Sequence, residues 1–114
     1  MRDGRRLTVG DALAALPGPN GERWVIALAR GTIQVEMYAP RGKDPQGPHT
    51  RDELYVVVSG SGDFLNGGTR HRFGPGDLLF VPAGVEHRFQ DFGDDFATWV
   101  IFYGPEGGEA PPAP

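Results

Sequence analysis

The chain has no cysteine and three histidines, and two of these, His49 and His87, stand where an imidazole could do chemistry. His49 closes a Pro/Gly-rich stretch four residues before Glu53, and His87 ends the segment PAGVEH between two apolar runs. Without thiolates, a divalent metal would have to be held by imidazole nitrogens and carboxylate oxygens. Two His and one Glu form the facial set that leaves positions open for substrate or oxygen. His49, Glu53 and His87 are therefore the candidate ligands of one divalent ion, with Fe, Mn, Zn and Ni all chemically open. The plainer alternative is a solvated loop histidine, an exposed carboxylate and a hydrogen-bonded core histidine. His71, in Arg70-His71-Arg72 after a hairpin signal, has no ligand-spaced neighbour and reads as a surface residue.

Spacing constrains the backbone that must hold this set. Residues four apart on a straight strand are separated by about 13 Å, beyond the joint reach of His and Glu to one ion. The chain must bend between His49 and Glu53, and the polar Thr50-Arg51-Asp52 can supply the bend. Arg51 could pair with Glu53 or Asp52, or meet an anionic substrate at the mouth of the site. Phe89 alternates onto the face of His87 and is the candidate pocket wall. Trp24, Phe64, Phe80, Trp99 and Phe102 read mostly as core packing.

The elements that must position these residues are short strands. Thr8 before Val9, with Asp11 three residues on, resembles a capping box, and Val9, Leu13 and Leu16 recur at helical spacing until Pro17 and Gly18. One short N-terminal helix is predicted within an arm covering residues 1–23. From Trp24 the period changes: WVIALA is a continuous apolar run, TIQVEMYA alternates, and LYVVVSG is β-branched. Asn66-Gly67-Gly68 predicts a tight hairpin, Gly74-Pro75-Gly76-Asp77 a turn, and FATWVIFY a last long strand. Seven or more short strands over residues 24–104 argue for an all-β sandwich or closed barrel. Residues 105–114, GPEGGEAPPAP from Gly104 on, lack apolar periodicity and are expected to be disordered.

A length of 114 residues suits one domain and leaves no room for a separate cofactor-binding domain. Eleven basic against fifteen acidic residues give a formal charge of −4, too mild to mark a polyanion binder, so nucleic acid is not expected as a partner. The apolar runs are strand-sized, which argues against a membrane partner. The start MRDGRRLTVGDALAALPG carries positive charges, but its apolar stretch is short and broken by Gly10 and Asp11, so it does not read as a signal peptide. With the lack of cysteine, this predicts a cytoplasmic protein.

The segment from Gly76 to Asp91, GDLLFVPAGVEHRFQD, resembles the second motif of the cupin superfamily, G-x5-P-x-G-x2-H-x3-N. Gly76, Pro82, Gly84 and His87 keep every spacing, and Asp91 stands in place of the final Asn. The first cupin motif is matched more loosely. Glu53 to Gly60 has the right gap and His49 stands where the second His belongs, but Gly47 occupies the first His position and Gly42 lies one residue too close to it for the full spacing. The resemblance spans roughly residues 42–91 and implies a double-stranded β-helix, a jelly-roll-like cupin barrel. It also implies that His49, Glu53 and His87 are three of the four usual metal ligands. Gln46 is the nearest side chain to the vacant place, one residue out of register.

Two functional classes follow. One is a metal-dependent enzyme of oxygenase or isomerase type acting on a small organic substrate, with Arg51 positioning a carboxylate. The other is a non-catalytic cupin that binds a small ligand such as a sugar or organic acid, which the incomplete ligand set favours. A homodimer is consistent with the resemblance.

Overall fold

Eight short strands and one helix make up the regular structure of the computed structural model, which describes residues 5–110. Helix α1, Val9–Ala14, starts where Thr8 caps it, the hydroxyl accepting the Asp11 amide at 3.1 Å. The strands are β1 Trp24–Arg30, β2 Ile33–Tyr38, β3 Asp52–Ser59, β4 Gly62–Asn66, β5 Thr69–Phe73, β6 Leu78–Val81, β7 His87–Gln90 and β8 Ala97–Tyr103. They form a five-stranded sheet in the order β1-β2-β8-β3-β6 and a three-stranded sheet in the order β5-β4-β7, with every pairing antiparallel. This is the all-β, double-stranded β-helix expected from the sequence.

The two sheets share one core. Tyr55, Val57, Val81 and Val100 from the larger sheet meet Phe64, Phe73 and Phe89 from the smaller. Burying each such side chain is worth about 1.5–3 kcal/mol. On the outer face of the larger sheet, α1 brings Ala12 onto Met37, Ala39 and Ala97, with Trp99 packed alongside. The helix is thus a cover over part of the sheet, and the site lies on the opposite, inner face.

Three expectations are corrected. The barrel is not closed: among the described residues no ladder joins the two sheets. The strands nearest such a junction, β6 and β7, have only four residues each, and Pro82 between them has no amide to donate. Trp24 and Phe80, expected in the core, are 46% and 47% exposed, because β1 and β6 are the two edges of the larger sheet. The segment after Tyr103 is not free over its described part: Gly107 donates to the Thr50 carbonyl at 2.7 Å and Glu109 to Asp52 Oδ2 at 2.8 Å. Backbone hydrogen bonds, which apolar periodicity does not report, hold it there; residues 111–114 lie outside the described residues. No helix of the described residues is long and apolar enough to cross a membrane.

Candidate metal centre

Two backbone tethers bring the separated segments together. The Gly84 amide donates to the His49 carbonyl at 2.7 Å, and the Ala83 amide to Asp52 Oδ1 at 2.9 Å. The turn before His87 is thereby fastened to both ends of the segment between His49 and β3. Gly84 can make that turn because its φ of 79° lies in the left-handed region. Asp91, where the motif calls for Asn, has φ 55°, a conformation that Asn and Asp both tolerate.

The bend required between His49 and Glu53 is present: β3 begins only at Asp52, and Thr50 and Arg51 precede its ladder. His49 Nδ1 stands 3.1 Å from Glu53 Oε1, and His87 Nε2 stands 2.9 Å from the same oxygen. One donor atom from each of the three residues lies within 4.8 Å of the others. Glu53 and His87 are fully buried, while the His49 side chain keeps 34% of its exposure.

Local hydrogen bonding fixes the orientation of the His87 ring. Its Nδ1–H donates to the Val85 carbonyl at 2.9 Å, so Nε2 is the nitrogen that faces Glu53. The Nε2 contact is close but poorly aligned, and both His87 Nε2 and Glu53 Oε2 are buried polar atoms without a hydrogen-bond partner. Such atoms are costly unless something else meets them. A divalent cation between these donors would meet them, so the side chains present fit a metal.

The electrostatics agree in direction. Burial pushes the Glu53 carboxyl up, but the two imidazoles together outweigh it and hold the group below the usual carboxylate range. Burial pulls His87 down, yet Glu53 and the Val85 carbonyl more than reverse this and leave it raised. The three groups form a cluster with an ionised carboxylate at its centre.

A cavity of about 430 Å³ opens beside His49, with Arg51, Glu36, Trp24, Gln46 and Phe102 on its walls. Arg51 pairs with neither Glu53 nor Asp52. The bend turns it away, so that Nη1 donates to the Thr32 carbonyl and the guanidinium carbon lies 6.0 Å from the centre of the Phe102 ring. Phe89 does share the face of His87, but its ring packs in the core against Phe64 at 4.6 Å and Tyr55 at 4.9 Å, away from the cavity walls. Phe102 takes the wall position instead, 4.9 Å from the His49 ring. His71 is exposed, as expected.

Sequence reasoning passed over a second polar group. Asp44 is buried and accepts from Tyr38 Oη at 2.5 Å, Gln46 Nε2 at 2.8 Å, the Phe89 amide at 2.9 Å and the Gln46 amide at 3.2 Å. Gln46 Oε1 accepts from Tyr55 Oη at 3.2 Å, so the side chain nearest the vacant ligand place is held at both ends of its amide. Burial, and next the charge of Glu53, push the Tyr55 hydroxyl well above its ordinary range. Alternation along β2 and β3 could have found Glu36 and Tyr55; nothing local marks Asp44, which lies in an irregular loop.

Comparison with known proteins agrees with this architecture. Residues 34–103 match the cupin domain family. An uncharacterized protein of Streptomyces coelicolor is 34% identical over 98 residues, 84% of this chain and 93% of that protein. Dimethylsulfoniopropionate lyase DddQ of Ruegeria pomeroyi is 33% identical over 70 residues, 60% of this chain and 35% of the lyase. Its crystal structure superposes with a TM-score of 0.63 at 25% identity, covering 87% of this chain and 55% of that one. The crystal structure of protein NMB1881 from Neisseria meningitidis gives a TM-score of 0.70 at 19% identity and covers 87% and 99% of the two chains. With its motif glycines, its inward-facing histidines and 70 consecutive residues matched, the chain belongs to the cupin family.

Proposed function

We propose that His49, Glu53 and His87 hold one divalent metal ion and that the chain is a metal-dependent enzyme of oxygenase, isomerase or lyase type. Its substrate is a small organic molecule taken into the adjoining cavity. The observation that carries this reading is the convergence of three donor atoms within 4.8 Å, two of the residues fully buried and with polar atoms unsatisfied. The bound ion would supply Lewis acidity and open coordination positions. The chain's own residues do the rest. Glu53 offsets the charge of the ion, the Val85 carbonyl holds His87 with Nε2 inward, and Phe102 and Trp24 give the cavity apolar walls. Arg51, on the same wall, orients an anionic group of the substrate. The named lyase activity of DddQ supports the enzymatic class, although this chain spans about a third of that protein.

A second reading is a non-catalytic binder of a sugar or organic acid. It is favoured by Gly47 in the place of the first motif histidine, with the Gln46 amide already engaged by Asp44 and Tyr55. Elemental analysis of untagged protein tests the metal, with about one ion per chain expected and loss in His87→Ala. Turnover of small keto acids, catechols and onium carboxylates, abolished by chelation, separates enzyme from binder. Full metal content with no turnover of any of these favours the binder; no metal at all defeats the enzyme reading and leaves the binder.

Pairing of two copies and a cytoplasmic location belong to the same proposal. Pairing is supported by an apolar row across the outer face of the larger sheet, Phe80, Leu54, Ile101 and Val35 being successive cross-strand neighbours. Beside it Leu78 is 64% exposed. Light scattering on the wild type and Phe80→Lys checks it, a dimer becoming a monomer.

A further inference from the structure

We infer that the ligand of this cavity is a small zwitterion, its anionic group at the Arg51 and His49 end and its cationic group against Glu36 and Trp24. This rests on the reading of the cavity as the ligand site. Gln34, Glu36 and Tyr38 alternate onto the inner face of β2, and Trp24 on β1 is the cross-strand neighbour of Tyr38. Register orders them: Gln34 lies opposite Phe102, Glu36 opposite Val100 and Tyr38 opposite Thr98. Arg51 and His49 both approach the Phe102 ring, at 6.0 Å and 4.9 Å, which puts them at the Gln34 end. Tyr38 and Trp24 lie at the other end, roughly 13 Å along the strand. Glu36 stands between the two ends.

The charges on these walls are unmatched. Among the described residues Glu36 is hydrogen-bonded only to Gln34, whose Nε2 donates at 2.7 Å, and neither Lys nor Arg pairs with it. A half-buried carboxylate with no Lys or Arg partner, with the His49 imidazole its one attracting ionisable group and near an indole that is 46% exposed, offers an alkylated cation both charge and an aromatic surface. Arg51 gives one N–H to the Thr32 carbonyl and makes no ion pair among the described residues, which leaves the rest of its fork for an anion. A purely anionic ligand would place negative charge against Glu36, and a purely cationic one would leave Arg51 unused. A molecule with both charges at its two ends answers both walls.

The test is calorimetric titration of the full chain with β-alanine betaine and with its carbon isostere, in which a tert-butyl group replaces the trimethylammonium group. The two differ only in the charge of the head. Each titration is run on metal-free protein and again with one equivalent of cobalt(II), with bound metal measured in parallel. The wild type is expected to bind the betaine about tenfold more tightly than the isostere. Glu36→Gln should bring that ratio to about one, and Arg51→Gln should weaken both ligands alike. Glu36→Ala, with thermal melts on every variant, guards against a misfolded substitution. Equal affinities in the wild type, a ratio unchanged in both Glu36 variants, or no binding of either compound overturns the inference. Failure of the metal reading shows separately, as absence of bound cobalt while the betaine preference persists in metal-free protein.

Discussion

Glu53 Oε1 and His87 Nε2 lie 2.9 Å apart with both side chains shielded from solvent, although one residue belongs to the five-stranded sheet and the other to the three-stranded sheet. The contact spans the interior of the sandwich. Cutting it from the His side leaves a buried carboxylate with only His49 beside it. His87→Ala is expected to lower the stability of metal-free protein by about 2–4 kcal/mol in urea unfolding. An unchanged midpoint would mean that the pair contributes nothing to the metal-free fold.

The same pair sets the pH dependence. His87 is raised, so its contribution is complete below about pH 6.5 and is lost as pH rises through its folded value. Glu53 is lowered, so its contribution is present above about pH 4.5 and is lost as pH falls through its folded value. Metal-free protein should therefore be most stable between about pH 4.5 and 6.5. Metal affinity should run the other way and rise with pH through the titration of His87, since a ligand imidazole must be neutral. Thermal melts across pH, with and without cobalt(II), check both trends.

Metal binding to the folded state alone stabilises it by mass action. With free ion at about a hundred times its Kd, the gain is about 2.7 kcal/mol, a rise in Tm of about 10 °C. His87→Ala should show no rise in a melt with added cobalt(II).

Asp44 accepts four hydrogen bonds, one of them from the Phe89 amide of the smaller sheet and one from Tyr38 of the larger. Asp44→Asn keeps the shape but turns an N–H group toward donors. A loss of about 2–3 kcal/mol is expected by urea unfolding, with faster exchange of the Phe89 amide proton.

Gly60 has φ 81°, and a Cβ there would stand 2.6 Å from the Phe96 Cα. Because the obstruction is backbone, Gly60→Ala should cost more than about 2 kcal/mol in chemical denaturation. Gly10→Ala, where a Cβ meets nothing, is the matched control.

Local chemistry was enough to mark the strands, the N-terminal helix and the three candidate ligands. Alternation, glycine turns and the Thr8 cap act over a few residues, and the motif around Pro82, Gly84 and His87 is contiguous. The same kind of reading placed Trp24 and Phe80 in the core, because hydrophobicity says that a side chain is apolar but not whether its strand lies at an edge. It also put Phe89 on the pocket wall. The alternation was right, but how deep a ring lies along a strand depends on the sheet facing it.

By itself, then, the amino-acid order determined the strand-forming segments, the bend that His49 and Glu53 require, and the absence of thiolate ligands. Only the tertiary structure decided that His87 meets Glu53, that Arg51 turns to Thr32 and Phe102 rather than to a carboxylate, and that Asp44 clamps the loop carrying Gln46. These pairings join residues far apart in the chain. They are selected by closing long loops against burial and hydrogen bonding shared by two sheets, and no short window of sequence contains both sides of that balance.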